Sequence, residues 1–195
     1  MNYIFGFLNS NACGNILDLI SPTLNYEVGH IASLPIIIDE NKVEDINNIV
    51  LENINICKDD WDDYETSWNF KKHPLLKFNE NNLKNSFKSW ESYKKEQFNQ
   101  LKSNETKLNN IFSEIYDIDS NYNVDDKHVS INSSNYEMDI KSFVSYAIGC
   151  MFGRYSLDDD CLISTNSNFN IENYSRFIPD DDNIIPILDT EYFED

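Results

Sequence analysis

A chain of 195 residues with 41% hydrophobic and 13% aromatic residues is long enough for one domain or two small subdomains, and apolar enough to exclude a chain disordered by composition. Fifteen Lys and Arg stand against thirty-four Asp and Glu, for a formal net charge of -19. Nucleic acid is held mainly by cations that neutralise phosphates, so this chain taken alone is expected to be repelled by DNA. Only Arg154 and Arg176 are arginines.

Five glycines and five prolines disfavour a turn-rich β-barrel and favour long helices. The first segment, residues 1–38, opens with a short apolar element at residues 3–8. Ala12, Cys13, Ile16, Leu17 and Ile20 then recur at helical spacing, and Ser21-Pro22 stops that helix. Gly29 opens a turn, and residues 31–38, interrupted by Pro35, read as an extended stretch. The second segment, residues 39–122, starts with a helix whose apolar stripe is Val43, Ile46, Val50, Ile54 and Cys57. An acidic stretch with Trp61, Tyr64, Trp68 and Phe70 set into it follows, and these aromatics are expected to anchor it to a neighbour. His73-Pro74 breaks the chain. Residues 82–118 contain no Gly or Pro, and Leu83, Phe87, Trp90, Phe98, Leu101, Leu108, Phe112 and Ile115 predict one long helix. Lys94, Gln97 and Asn104 interrupt its seam and exclude a strict coiled coil.

The third segment, residues 123–195, begins with a polar loop or minor strand. Asp139 is then the expected N-cap of an amphipathic helix carrying Ile140, Phe143, Val144, Ala147, Ile148, Met151, Phe152 and Tyr155. The Asp158–Asp160 run ends it, and the remainder is loop-rich, with Ile178-Pro179 and Ile185-Pro186. The fold class is therefore mainly α with a small α+β unit at residues 1–38. Nothing in the pattern precedes that unit for it to pack on, and the chain stops at residues 193–195 inside an apparent new element. Both features are expected of a fragment of a larger multidomain protein.

No catalytic, cofactor-binding or metal-ligating residue is assigned. A phosphate-cradling loop needs closely spaced glycines ahead of a helix, whereas Gly149 and Gly153 fall inside one and read as close helix packing. Asp117, Asp119 and Asn121 match the first three ligands of a calcium loop, but Tyr122 and His128 occupy the places of the turn glycine and the bidentate Glu. His30, His73 and His128 have no partner at metal-ligand spacing. Cys13, Cys57, Cys150 and Cys161 form no CxxC and sit in apolar or acidic contexts, where a thiol pKa rises and reactivity falls. A reducing cytoplasm is the expected compartment. The Asp158–Asp160 and Asp180–Asp182 runs read as solvated turns. No basic n-region precedes an apolar run, and no run approaches the roughly 18 residues of a membrane span, so no membrane is expected among the partners.

Several strings carry a family resemblance. Residues 6–10 (GFLNS), a helix and then residues 31–36 (IASLPI) resemble the closing element of target-recognition domains in restriction–modification proteins. The longer string at residues 21–38 (SPTLNYEVGHIASLPIII) resembles the PglX-type adenine-specific DNA methyltransferases of BREX phage-defence systems. Residues 61–76, 101–116, 147–157, 177–187 and 191–195 agree with the same family in the same order. The resemblance implies a parent enzyme that transfers a methyl group from S-adenosylmethionine to a flipped-out adenine. It also implies a Gly-containing methyl-donor loop and an Asn-Pro-Pro-Tyr motif upstream. Here no Gly-x-Gly occurs, and Pro22, Pro35, Pro74, Pro179 and Pro186 all stand alone. The carry-over thus assigns no catalytic residue, and S-adenosylmethionine belongs to the parent. Residues 1–38 become the tail of a target-recognition-like domain, residues 39–122 a helical spacer, and residues 123–195 an amphipathic helix with a loop-rich extension. The implied partner is the methyltransferase core or a basic neighbouring domain, with DNA engaged only by the intact enzyme. A free-standing acidic interaction protein that mimics DNA, or an inactive gene remnant, are the competing readings.

Overall fold

The computed structural model describes residues 1–21, 25–78, 80–118, 123–158 and 170–180. Cys161, Pro22, Pro186, Asp119, Asn121, Tyr122, Asp159, Asp160, Asp181, Asp182 and residues 193–195, all singled out above, lie outside the described residues. The protein is mainly helical. Its α-helices are α1 (Asn2–Leu8), α2 (Asn11–Ile20), α3 (Val28–Ala32), α4 (Val43–Asp62), α5 (Leu83–Ile115) and α6 (Tyr136–Met151), with short 3-10 turns at Pro74–Leu76, Asp126–His128 and Ile171–Asn173. Two compact units divide the chain, and each is discontinuous in sequence. The first is Met1–Asp59 with Tyr93–Ser133, the second Asp60–Ser92 with Ser134–Asp195.

In the first unit, α1 and α2 pack through a core of Tyr3, Phe7, Ala12, Cys13, Leu34, Ile46, Val50, Leu108 and Phe112. Ser10 caps α2 by accepting the Cys13 N–H at 3.3 Å. The first amide of α2, Asn11 N–H, is taken by the Asn109 side chain at 2.8 Å, which ties α2 to α5. The α4 stripe buries Ile46, Val50 and Ile56, while Ile54 remains partly exposed. The expected α+β character of residues 1–38 is corrected: among the described residues this stretch holds three helices and no strand. Gly29, Ile31 and Ala32 fall within α3, whose start is fixed by Glu27 and His30 capping each other's backbone. Residues 34–38 leave the helix and are non-helical, as read from the sequence, but no neighbouring strand among the described residues pairs with them.

The long helix is observed as the 33 residues of α5, about 50 Å at 1.5 Å per residue. Trp90, Leu101, Leu108 and Phe112 are buried on it. Two of the three polar positions that break its seam are buried too: Lys94 and Asn104 are each 1% exposed, while Gln97 is half-buried. Asn104 donates to Glu52 at 2.8 Å and accepts from Gln100 at 3.2 Å, which satisfies the amide inside the first unit.

In the second unit, Phe70, Tyr146, Cys150 and Tyr155 form the core. Of the four aromatics expected to anchor the acidic stretch, only Phe70 is fully buried. Tyr64 is half-buried, Trp61 is 59% exposed, and Trp68 is fully exposed. The N-cap of α6 is Asn135 rather than Asp139. Asp139 lies one turn inside, buried, and accepts the Asn135 N–H at 3.0 Å and the Trp90 indole N–H at 3.2 Å. The Tyr136-Glu137-Met138 turn hid this start, because its side chains are exposed and show no apolar spacing. Val144 and Ile148 are exposed as well; the buried line on α6 is Asp139, Tyr146 and Cys150.

Gly149 is closely packed, but by Tyr155 of the following turn rather than by a second helix. A Cβ built there meets the Tyr155 ring at 2.7 Å. Gly153 has φ of 69° and ends the helix in the left-handed conformation, with Arg154 N–H returning to the Gly149 carbonyl at 2.8 Å. The Tyr155 ring cannot retreat easily, since it stacks on Tyr146 with centroids 5.0 Å apart. Gly149→Leu is therefore expected to lower the unfolding free energy by about 1–3 kcal/mol. An unchanged urea midpoint would refute that packing.

Candidate functional site

The first unit contains a cavity of about 880 Å³. Helix α1 contributes Phe5 and its C-cap Asn9, α4 contributes Asn53 and Cys57, and α5 contributes Leu101 and Glu105. Residues 123–130 close the rim with Asp125 and His128. No described lining residue is Lys or Arg. A phosphate or other anion would find carboxylates and amides here and no countercharge, so the cavity does not suit a nucleic-acid backbone.

The cavity brings together a Cys, a His and a carboxylate, the residue types of a nucleophilic site. The electrostatics oppose that use. Burial pushes the Cys57 thiol up, and the Glu105 carboxylate raises it further. Glu105 is itself raised by burial, partly offset by hydrogen bonds from Ser130. A thiol nucleophile needs a lowered pKa, from a helix N-terminus or a nearby cation. Cys57 near neutral pH is a protonated thiol beside an acid. Cys13 and Cys150 are buried, and burial raises both thiols.

The remaining candidates have structural uses. The His30 side chain accepts the Glu27 N–H at 3.2 Å as part of the α3 cap. His73 is 2% exposed, accepts the Leu75 N–H at 3.3 Å, and meets Phe143 edge-on at 5.2 Å. His128 ends a 3-10 turn at the cavity rim. Asp158 accepts the Ser175 N–H at 2.6 Å and the Arg176 N–H at 2.9 Å, closing a loop. Among the described residues no group of three or more His, Cys, Asp or Glu could hold a metal ion. None of their helices is long and apolar enough to cross a membrane.

A different arrangement in the first unit has no signal in the sequence. Two tyrosine hydroxyls grip the backbone of residues 35–39 on one side. Tyr116 donates to the Pro35 carbonyl at 2.7 Å and accepts the Ile37 N–H at 3.1 Å. Tyr3 donates to the Ile37 carbonyl at 2.9 Å and accepts the Asp39 N–H at 3.3 Å. Both rings are held by the core: Tyr116 stacks on Phe7 at 4.8 Å, and Tyr3 meets Phe112 edge-on at 5.5 Å. Tyr3 and Tyr116 are far apart in sequence and carry no motif, so nothing in the sequence could have paired them.

No protein-family model matches the chain. Over 99% of its length it is 34% identical to the adenine-specific methyltransferase PglX of Lacticaseibacillus casei (strain Zhang), of which it covers 16%. Over 98% of its length it is 30% identical to the adenine-specific methyltransferase BrxX of Escherichia coli O9:H4 (strain HS), of which it covers 18%. The chain spans less than a fifth of the length of these curated relatives.

Burial holds His73 well below its usual range, at about 4, with the nearby Lys77 ammonium adding to the effect. The folded state thus binds fewer protons than the unfolded state between pH 6.5 and 4. The stability contributed by neutral His73 is complete above the unfolded value and is lost as pH falls through the folded one. Between pH 7 and pH 5 the unfolding free energy is expected to fall by about 2 kcal/mol from this group. His73→Gln should remove that part of the slope in urea titrations at the two pH values; an unaltered slope would count against a buried neutral imidazole.

Proposed function

From its relationship to the PglX and BrxX adenine-specific methyltransferases, which runs along nearly its whole length, we propose that the chain serves as a non-catalytic helical segment of a BREX-type methyltransferase acting in phage defence in the cytoplasm. Methyl transfer from S-adenosylmethionine to adenine in DNA is the work of the intact enzyme. This segment links or positions its parts, held against the methyltransferase core or a basic neighbouring domain.

The observation that carries the reading is the match of almost all of this chain to a small, continuous share of much longer methyltransferases. Three features of the chain support it. The sequence contains no Gly-x-Gly and no adjacent prolines, the elements of a methyl-donor loop and an adenine-gripping motif. No described residue lining the cavity in the first unit is Lys or Arg. A net charge of -19 suits a surface facing a basic protein partner rather than a DNA groove.

Two measurements test this. With labelled S-adenosylmethionine and duplex DNA, the isolated chain is expected to transfer no methyl group and to show no DNA binding at about physiological salt. A Lacticaseibacillus casei PglX in which this chain replaces the matched segment is expected to methylate DNA, whereas simple deletion of that segment should abolish methylation. Methyl transfer by the isolated chain would overturn the reading. So would a folded chimaera as inactive as the deletion.

A further inference from the structure

The two tyrosine hydroxyls engage residues 35–39 with a period of two. They take the carbonyl of 35, the N–H and carbonyl of 37, and the N–H of 39. A parallel β-ladder uses the same donors and acceptors of a strand, with a partner peptide bridging the carbonyl of one residue and the N–H two residues on. Each hydroxyl here takes the place of such a partner peptide. In an extended backbone, alternate residues direct their N–H and C=O groups to opposite sides. The side gripped by Tyr3 and Tyr116 is therefore full, and the amides and carbonyls of Ile36 and Ile38 face the other way. Neither residue makes a backbone hydrogen bond among the described residues.

The side chains agree with the backbone. Ile36, Ile37 and Ile38 are 42%, 45% and 61% exposed, three successive β-branched residues on the surface. Such residues are favoured in strands, and an exposed apolar strand edge invites pairing with another strand. The chain that precedes them is depleted in charge, as an interface core is, whereas Asp39 and Glu40 follow them directly. Residues 1–38 hold two of the thirty-four acidic residues, Asp18 and Glu27, and none of the fifteen basic ones.

We propose that residues 35–39 form a preset edge strand, and that its open side is completed by a β-strand from the remainder of a PglX/BrxX-type methyltransferase. The inference rests on the proposed function for the identity of that partner. Two observations select it over a second copy of this chain. The relatives extend over more than five times the matched length, which supplies further chain to pair with. A second copy would bring a net charge of -19 against -19, and like charge opposes association. The mode is strand addition: main-chain hydrogen bonds give the affinity, and the Ile36 and Ile38 side chains select an apolar partner face.

Amide hydrogen exchange tests it in the isolated chain and in the Lacticaseibacillus casei PglX chimaera described above. In the isolated chain, the Ile36 and Ile38 amides are expected to exchange fast and the Ile37 amide more slowly. In the chimaera, the Ile36 and Ile38 amides should slow by about tenfold or more. Ile36→Pro combined with Ile38→Pro removes both outward donors and leaves the tyrosine bonds in place. It is expected to lower the Tm of the chimaera and leave that of the isolated chain unmoved. Equal exchange of the Ile36 and Ile38 amides in the two proteins overturns the inference, and if that chimaera still methylates DNA, the proposed function survives alone. Protection that appears in the isolated chain as its concentration rises overturns it in favour of a second copy. A Tm loss in the isolated chain assigns Ile36 and Ile38 to its own fold and also overturns it. Protection in a chimaera that does not methylate DNA supports the strand and counts against the proposed function.

Discussion

The first unit depends on Phe112. Its side chain is fully buried on α5, and the aromatic rings of Tyr3 and Phe7 close on it from α1 at 5.5 and 5.7 Å. Aromatic pairs of this geometry add about 0.5–1.5 kcal/mol beyond the area they bury. The closeness of the approach is set by Gly6 between those two rings: a Cβ there would meet Val50 of α4 at 2.8 Å. Once α1 is seated, the hydroxyls of Tyr3 and Tyr116 have fixed positions, and the backbone of residues 35–39 follows from them. A local packing event thereby dictates the path of a segment that has no strand of its own to follow.

Helix α5 shows how polar residues can specify a helix face without serving chemistry. Asn104 and Asn109 are buried in line with Leu101 and Leu108. Each is spent on a backbone or side-chain partner of another helix: Asn104 on Glu52, Asn109 on the first amide of α2. A buried amide left unsatisfied costs about 1–3 kcal/mol, so these partners discriminate against any other register of α4 and α2 along α5. The seam that a coiled coil would fill with Leu is here an address for particular neighbours. Surface ion pairs such as Lys42–Glu114 and Lys102–Asp126 contribute little beside this, because both acids are largely exposed.

What the sequence made legible follows from what periodicity encodes. The helices α2, α4 and α5 were readable because their apolar residues recur at helical spacing, and α5 lacks any breaker. The start of α6 was not, because its cap and its first buried group are polar. Asn135 and Asp139 are recognised by a hydrogen bond to each other and to Trp90, not by hydrophobicity. Trp61 and Trp68 depart from the usual pattern, since large aromatic residues are usually buried and these are exposed within the chain. The cavity gathers α1, α4, α5 and residues 123–130, and no spacing within one segment could announce it. The non-helical character of residues 34–38 was legible from Ile36-Ile37-Ile38 and Pro35, whereas the two hydroxyls that hold them were not.

That last point changes how the unpaired segment should be understood. A run of three isoleucines at the surface of an acidic protein is a liability if it stays open, because an apolar strand edge is a template for aggregation. Natural edges are blunted by Lys, by an inward-pointing charge, by a bulge or by a cover. Residues 34–38 carry no charge at all. The tyrosines instead occupy the hydrogen-bonding groups on one side of the backbone, and the amides of Ile36 and Ile38 make no backbone hydrogen bond among the described residues. A surface that is uncharged and β-branched over Ile36, Ile37 and Ile38, with one side of its backbone already engaged, has the properties of a joint rather than of a solvated loop. On the proposed function, the occupant of that joint is a strand from the remainder of a methyltransferase whose relatives extend over more than five times the matched length.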